Sequence, residues 1–298
     1  MIGIFDSGTG GLTIAEKSIK ILDGEAFLYL GDHGRAPYGH RSNQEILNYT
    51  QEAVTCLFDQ GCDLVVLACN TAAAVALRSL QQDWLPHHAP DKRILGILVP
   101  TVEAVTGVPW HEGLCLENEG IIGVFATPKT VQSQAYVEEI RKRAPKMKII
   151  QVPCPGLVSA IEAGADDESI MDLVAPFVEE MKAKSDGRLN AVLLGCTHYP
   201  LVAQHFKAAL GLGVPIVSQP DITADALKSY LARHPQFLKA DRAEYGVRYL
   251  TTGDATQATK TASRLSALNA VFEHIDLRPY AASSLSSAGA TSPSMARK

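Results

Sequence analysis

Leu64-Val65-Val66-Leu67-Ala68-Cys69-Asn70-Thr71 and Ala191-Val192-Leu193-Leu194-Gly195-Cys196-Thr197-His198 follow one plan at two distant places in the chain. Each opens on an unbroken apolar run without polar alternation, which is how a strand covered on both faces reads. Each then meets a small residue, a cysteine and two polar side chains, and a helix-like segment follows. The same rhythm holds outward from both. Short apolar runs at Ile2–Phe5, Ala26–Leu30, Ile94–Leu98, Ile121–Phe125, Lys148–Val152, Val214–Val217 and Val247–Leu250 read as further strands. Between them, Gly11–Ile21, Gln44–Gln60, Thr71–Gln81, Thr130–Arg143, Ser169–Ala183, Pro200–Ala209 and Thr223–His234 read as helices. This alternation predicts an α/β fold with mostly parallel sheets covered by helices. The repeated cysteine context predicts two pseudo-symmetric three-layer halves.

The bulk properties narrow the class. The chain of 298 residues is 46% hydrophobic and 20% charged, as ordinary globular proteins are, with a formal net charge of −5. That charge gives no electrostatic case for nucleic acid or an anionic membrane as partner. No uninterrupted apolar stretch approaches the ~20 residues that span a bilayer. The start, Met1-Ile2-Gly3-Ile4-Phe5-Asp6, carries no basic segment followed by an apolar stretch, so a secretory signal is not expected. Cysteines at 56, 62, 69, 115, 154 and 196 are widely spaced and contain no C-x-x-C pair. They read as free thiols in a reducing cytoplasm. From 281 to 298 the chain is rich in Ala and Ser without apolar periodicity, so a flexible tail is expected.

Ligands of open α/β sheets bind at the carboxyl ends of the strands, where Cys69 and Cys196 both fall. Taken singly, each reads as a buried structural thiol, the usual place of free Cys. Their matched settings favour chemistry for the pair. Each is expected before a helix, whose N-terminal N–H groups would favour thiolate and lower the pKa. Two acid–base groups flanking a carbon can remove a proton from one face and return one to the other. A carbon acid that weak needs its developing charge held by fixed donors in a water-poor site. Asp6-Ser7-Gly8-Thr9-Gly10-Gly11-Leu12 lies between the first strand and helix. It fails the G-x-G-x-x-G spacing and lacks the Lys-Ser/Thr of a P-loop, which leaves a tight turn carrying Asp6 at the strand end. Asp32-His33-Gly34-Arg35-Ala36-Pro37-Tyr38-Gly39 reads as a punctuated loop, with His33 and Arg35 at the surface. His198, two residues beyond Cys196, is placed to activate that thiol.

Together with Ala126-Thr127…Thr130…Ser133…Tyr136, Leu157-Val158…Ile161-Glu162, Cys196-Thr197-His198-Tyr199-Pro200 and Thr252-Gly253-Asp254, these motifs resemble the aspartate/glutamate racemase superfamily, and within it the glutamate racemases. The resemblance runs in order from residue 3 to about 254. It implies interconversion of L- and D-glutamate without cofactor or metal, supplying D-glutamate for peptidoglycan. It assigns Cys69 the α-proton of D-glutamate and Cys196 that of L-glutamate, with Asp6 assisting Cys69 and with His198 and Glu162 assisting Cys196. Ser7, Pro37, Tyr38, Gly39, Asn70, Thr71, Thr127 and Thr197 would bind substrate. The implied domains are 1–98 plus 208–280, and 99–207, with the active site between them. Beyond the small-molecule substrate, the partner it allows is a second copy in a homodimer. Val217-Ser218-Gln219-Pro220-Asp221 departs from the family by lacking its usual Asp-Ser, at a place expected to lie away from the chemistry. The alternatives are a relative acting on aspartate or a hydantoin, a hydrolase or decarboxylase using one thiol, and a non-catalytic binding protein that keeps the fold.

Overall fold

The computed structural model describes residues 1–211, 213–238 and 246–277. Among the described residues ten strands form two sheets, and every strand pair is parallel. The strands are β1 (Ile2–Asp6), β2 (Phe27–Gly31), β3 (Leu64–Leu67), β4 (Arg93–Gly96), β5 (Gly120–Ala126), β6 (Met147–Pro153), β7 (Ala191–Gly195), β8 (Ile216–Val217), β9 (Val247–Thr251) and β10 (Phe272–His274). The first sheet has the order β10-β9-β2-β1-β3-β4 and the second β6-β5-β7-β8. The run β2-β1-β3-β4 therefore has the same winding as β6-β5-β7-β8, which is the symmetry the cysteine echo implied.

In each sheet the chain leaves a central strand to one side and then returns to the other. That reversal opens a crevice at the carboxyl ends, between β1 and β3 in one sheet and between β5 and β7 in the other. Asp6 ends β1 and Cys69 stands two residues past β3 at the first crevice, and Thr127 and Cys196 follow β5 and β7 at the second. A buried apolar cluster joins the sheets: Phe5, Val65 and Leu67 belong to the same packed group as Ile122, Val124 and Leu193. The expected change at 207/208 does not coincide with a sheet boundary, because β8 pairs with β7 through Val192↔Ile216 and Leu193↔Val217. The expected tail at 281–298 lies outside the described residues.

Several local features depart from the sequence reading. The apolar run expected as a strand to Leu98 ends at Gly96, and its last residue starts the helix Leu98–Thr106. The helix expected over 130–143 is two, Pro128–Ser133 and Ala135–Arg143, broken where Gln134 takes φ 58°. Ser133 Oγ donates to the Thr130 carbonyl and accepts from the Ala135 N–H, so a side chain competes there with the helical ladder. Helices Leu157–Ala163 and Ala255–Leu265 also lie in stretches not read as helical. Among the described residues no helix is long and apolar enough to cross a membrane.

Candidate active site

Cys69 is the N-cap of helix Asn70–Ser79, and its sulfur accepts the Ala72 N–H at 3.4 Å. The thiol donates to Ser7 Oγ at 3.3 Å. Cys196 differs. It is followed by a 3₁₀ turn, Tyr199–Val202, before helix Ala203–Leu210 begins, so Cys69 alone of the two stands at the N-terminus of an α-helix. The partner of Cys196 is His198, with Sγ and Nδ1 4.0 Å apart, and Glu162 Oε1 lies 2.9 Å from the other ring nitrogen. Cys69, Cys196 and His198 are all about 5% exposed or less, so both thiols sit in a water-poor environment.

Cys69 and Cys196 both line one narrow cleft of about 80 Å³. Ser7, Pro37, Tyr38, Gly39, Asn70, Thr71, Thr127, Thr197 and His198 share that lining, so every residue expected to bind substrate converges there. Asp6 and Glu162 stand behind it. Asp6 is fully buried and accepts from the Gly8 N–H at 3.0 Å and from the Thr197 hydroxyl at 3.3 Å. It makes no described hydrogen bond to Cys69 and reaches that thiol through its charge. Glu162, on helix Leu157–Ala163, holds His198 from behind.

The electrostatics of the two thiols differ. Burial, and after it the Asp6 charge, pushes the Cys69 thiol up to about 12, against the lowering by Ser7 and the Ala72 N–H. The expected drop of its pKa is thus overturned, because desolvation outweighs one helix N-terminus. Burial also raises Asp6, against His198 and the N–H groups of Gly8 and Gly11. Burial disfavours the imidazolium of His198, but its contacts with Cys196 and Glu162 outweigh this and raise it to about 10. Glu162 is lowered: His198 and the Thr9 N–H overcome its partial burial. At neutral pH Cys69 is therefore a thiol, and His198 carries positive charge against the Cys196 sulfur.

The glycine-rich loop explains how the two crevices meet. A Cβ on Gly10 would lie 2.4 Å from His198 Nδ1 and 2.5 Å from Thr197 Oγ1. The loop is bare there because the strand end carrying Cys196 packs directly onto it. Thr13 Oγ1 seals the seam by donating to the Thr197 carbonyl at 3.1 Å. The hydroxyls of Thr71, Thr127 and Thr130 make a second seam, with separations of 3.0–3.2 Å. The Asp32 loop braces the third side. Buried Asp32 accepts from Tyr38, Arg35 and Thr252, and His33 meets Thr9 and Thr251. His33 and Arg35 are thus half-buried struts, where a surface loop was expected.

The sequence profile described as Asp/Glu/Hydantoin racemase matches residues 35–227. The chain belongs to the aspartate/glutamate/hydantoin racemase family. The glutamate racemases of Phenylobacterium zucineum and a Caulobacter strain are 46% and 45% identical to it, each over 85% of this chain and 92% of their own. A glutamate racemase isoform of Bacillus anthracis superposes with a TM-score of 0.80 at 30% identity, covering 93% of this chain and 97% of its own. The Francisella tularensis glutamate racemase, solved in complex with D-glutamate, gives 0.79 at 26% identity over 94% and 98%.

Two features of this racemase family member escaped the sequence reading. Cys154 lines the same cleft, its thiol raised by burial and by the nearby Cys196 charge. Gln219, expected to lie away from the chemistry, is fully buried and hydrogen-bonded to Asn70. Among the described residues no group of three or more His, Cys, Asp or Glu side chains is placed to hold a metal ion.

Proposed function

We propose that the chain interconverts L- and D-glutamate by a two-thiol mechanism without a cofactor, at a seam between one lobe built on the six-stranded sheet and one on the four-stranded sheet. The observation that carries this reading is the pair of buried cysteines lining one cleft, each at the strand-end crevice of its own sheet. Opposed thiols suit removal of an α-proton from one face and its return to the other. In the L-to-D direction, Cys196 as thiolate takes the α-proton: the C–H bond breaks, an S–H bond forms, and the electron pair stays on the α-carbon and its carboxylate. Cys69, held as a thiol beside Ser7, then gives its proton to the opposite face. The turnover ends with a thiolate at Cys69 and a thiol at Cys196. The reverse reaction starts from that state, and another L-to-D turnover requires both to exchange protons with water.

The surroundings support those roles. The His198 imidazolium, held by Glu162, compensates negative charge on Cys196. The N–H of Ala72 and the hydroxyl of Ser7 do so for Cys69 once its proton has left. Hydroxyls of Thr71 and Thr127 and the amide of Asn70 supply donors for the two carboxylates, in a site where fixed dipoles act with little competition from water. The relatives named glutamate racemase favour glutamate as substrate. D-glutamate made this way would supply peptidoglycan synthesis, and six free thiols suit a reducing cytoplasm.

Purified protein incubated with L- or D-glutamate in D₂O, without added cofactor, tests the proposal. Loss of circular dichroism and uptake of α-deuterium are expected from both enantiomers, with aspartate run in parallel. Neither signal from glutamate would overturn the reading, and faster reaction of aspartate would reassign the substrate. Cys69→Ser and Cys196→Ser should each cut racemisation severely while the fold is kept. Normal racemisation by either variant would rule out the two-thiol mechanism.

A further inference from the structure

Asn70 lines the cleft immediately after Cys69, and its side chain is held by a buried hydrogen-bond network. Its Nδ2 donates to Gln219 Oε1 at 2.7 Å, and Gln219 Nε2 donates back to Asn70 Oδ1 at 3.2 Å. The two amides form a reciprocal pair, buried among Tyr136 and Thr101. Tyr136 OH also donates to Asn70 Oδ1, and Gln219 Nε2 lies 2.9 Å from the Tyr136 oxygen. Asn70 is 2% exposed, and Gln219, Tyr136 and Thr101 are fully buried.

An amide can be turned end for end with little change of shape, so the network must decide which end faces where. The decision starts at a backbone carbonyl. Thr101 spends its only hydroxyl proton on the Ile97 carbonyl at 2.6 Å, so toward Gln219 its oxygen can only accept. Gln219 Nε2 meets that need at 3.0 Å, which turns Gln219 Oε1 toward Asn70. An acceptor there requires the nitrogen end of Asn70, and the oxygen end then takes the Tyr136 hydroxyl. Asn70 Nδ2 has two protons, and Gln219 uses one. The second has no described partner. Were the amide reversed, an anionic substrate would meet a carbonyl oxygen in its place.

We propose that Gln219 is a positioning residue that fixes the Asn70 amide with its nitrogen available to a substrate carboxylate. The inference rests on the reading of the cleft as a glutamate site. Gln219 starts the helix that follows β8, so the crossing from the second sheet back to the first sets the orientation of a donor beside Cys69.

Steady-state kinetics in both directions on the full chain test it, using Gln219→Leu, Asn70→Ala and the double variant. Loss of a hydrogen bond to a charged group corresponds to about 10- to 100-fold in affinity. Because that donor serves substrate and transition state alike, KM should rise by about this factor while kcat changes much less. The double variant should be no worse than Asn70→Ala alone, since Gln219 acts through Asn70. An unchanged KM in Gln219→Leu, a loss confined to kcat, or additive losses in the double variant would each overturn the proposal. Should Gln219→Leu fail to fold, Thr101→Val carries the test by removing only the anchor: a raised KM supports the proposal and an unchanged one refutes it. Absence of glutamate racemisation by the unaltered protein would overturn the substrate assignment and this inference together, whereas additivity would overturn this inference alone.

Discussion

Gly10→Ala probes the seam between the two thiol-bearing strand ends with a single methyl group. The added Cβ would stand 2.4 Å from His198 Nδ1, 2.5 Å from His198 Cε1 and 2.5 Å from Thr197 Oγ1. Ordinary contacts of this kind lie near 3.5–4.0 Å, so relief requires about 1 Å of separation. His198 and Thr197 are both buried, and neither is the free end of a flexible surface chain. The displacement would lengthen the Cys196–His198 contact, already 4.0 Å, and loosen the 3.3 Å bond from Thr197 to Asp6. A 1 Å misplacement of reacting groups costs on the order of 10²-fold in rate, which is about 2.7 kcal/mol of barrier. Overpacking of this size costs stability of about 1–3 kcal/mol, a shift of a few degrees in Tm. Deuterium uptake at the α-carbon, followed by NMR from each enantiomer, gives the rates, and a thermal melt by circular dichroism gives Tm. Both directions should slow, because the seam touches His198 on one side and, through Thr197, Asp6 on the other. Gly39→Ala is the contrast: its Cβ would meet nothing within 4 Å, so its Tm should stay that of the unaltered protein. If Gly10→Ala keeps normal rates in both directions, the loop yields without moving His198, and the geometric reasoning is refuted.

Two further predictions follow from the titrating groups. With Cys69 pushed up to about 12, its thiol should resist iodoacetamide near pH 7.5 in the ligand-free protein; peptide mapping that finds Cys69 among the first thiols alkylated would contradict the dominance of burial. His198 is raised to about 10 in the folded state, against about 6.5 in an unfolded chain. A raised pKa contributes stability that is full below about pH 6.5 and is lost as pH rises through about 10. Urea titrations over that window should show this loss, and His198→Gln should flatten it; an equal slope in the variant would remove His198 as its source.

The fold was largely legible because its strands advertise themselves. Leu64–Leu67 and Ala191–Gly195 carry no polar residue, as strands buried on both faces require, and their cysteines mark the carboxyl ends where ligands bind. What failed to show was local competition. Leu98 continues an apolar run, so nothing in the pattern announces that the strand has stopped at Gly96 and a helix begins. The break at Gln134 depends on the Ser133 hydroxyl capturing backbone groups, an effect that a periodicity of 3.6 does not register. Cys69 and Cys196 look alike in sequence, yet one caps a helix and the other leans on His198, because a turn and the 3₁₀ segment Tyr199–Val202 separate Cys196 from the next α-helix.

The candidate site shows a sharper limit, since its chemistry depends on contacts between residues far apart in the chain. A Gly-rich turn after a first strand invites a reading in which the missing side chains make room for a ligand. Here the room left at Gly10 is filled by the Thr197–His198 pair. The same holds for Gln219, whose meaning lies in Asn70, Thr101 and Tyr136, each on a different helix. The two thiols were readable because each sits in a recognisable local setting. The groups that orient their surroundings were not, because orientation is a property of the seam. On the positioning role proposed for Gln219, what that position requires is a donor toward Thr101 and an acceptor toward Asn70, a demand set by two other helices and not by its own neighbours in the chain.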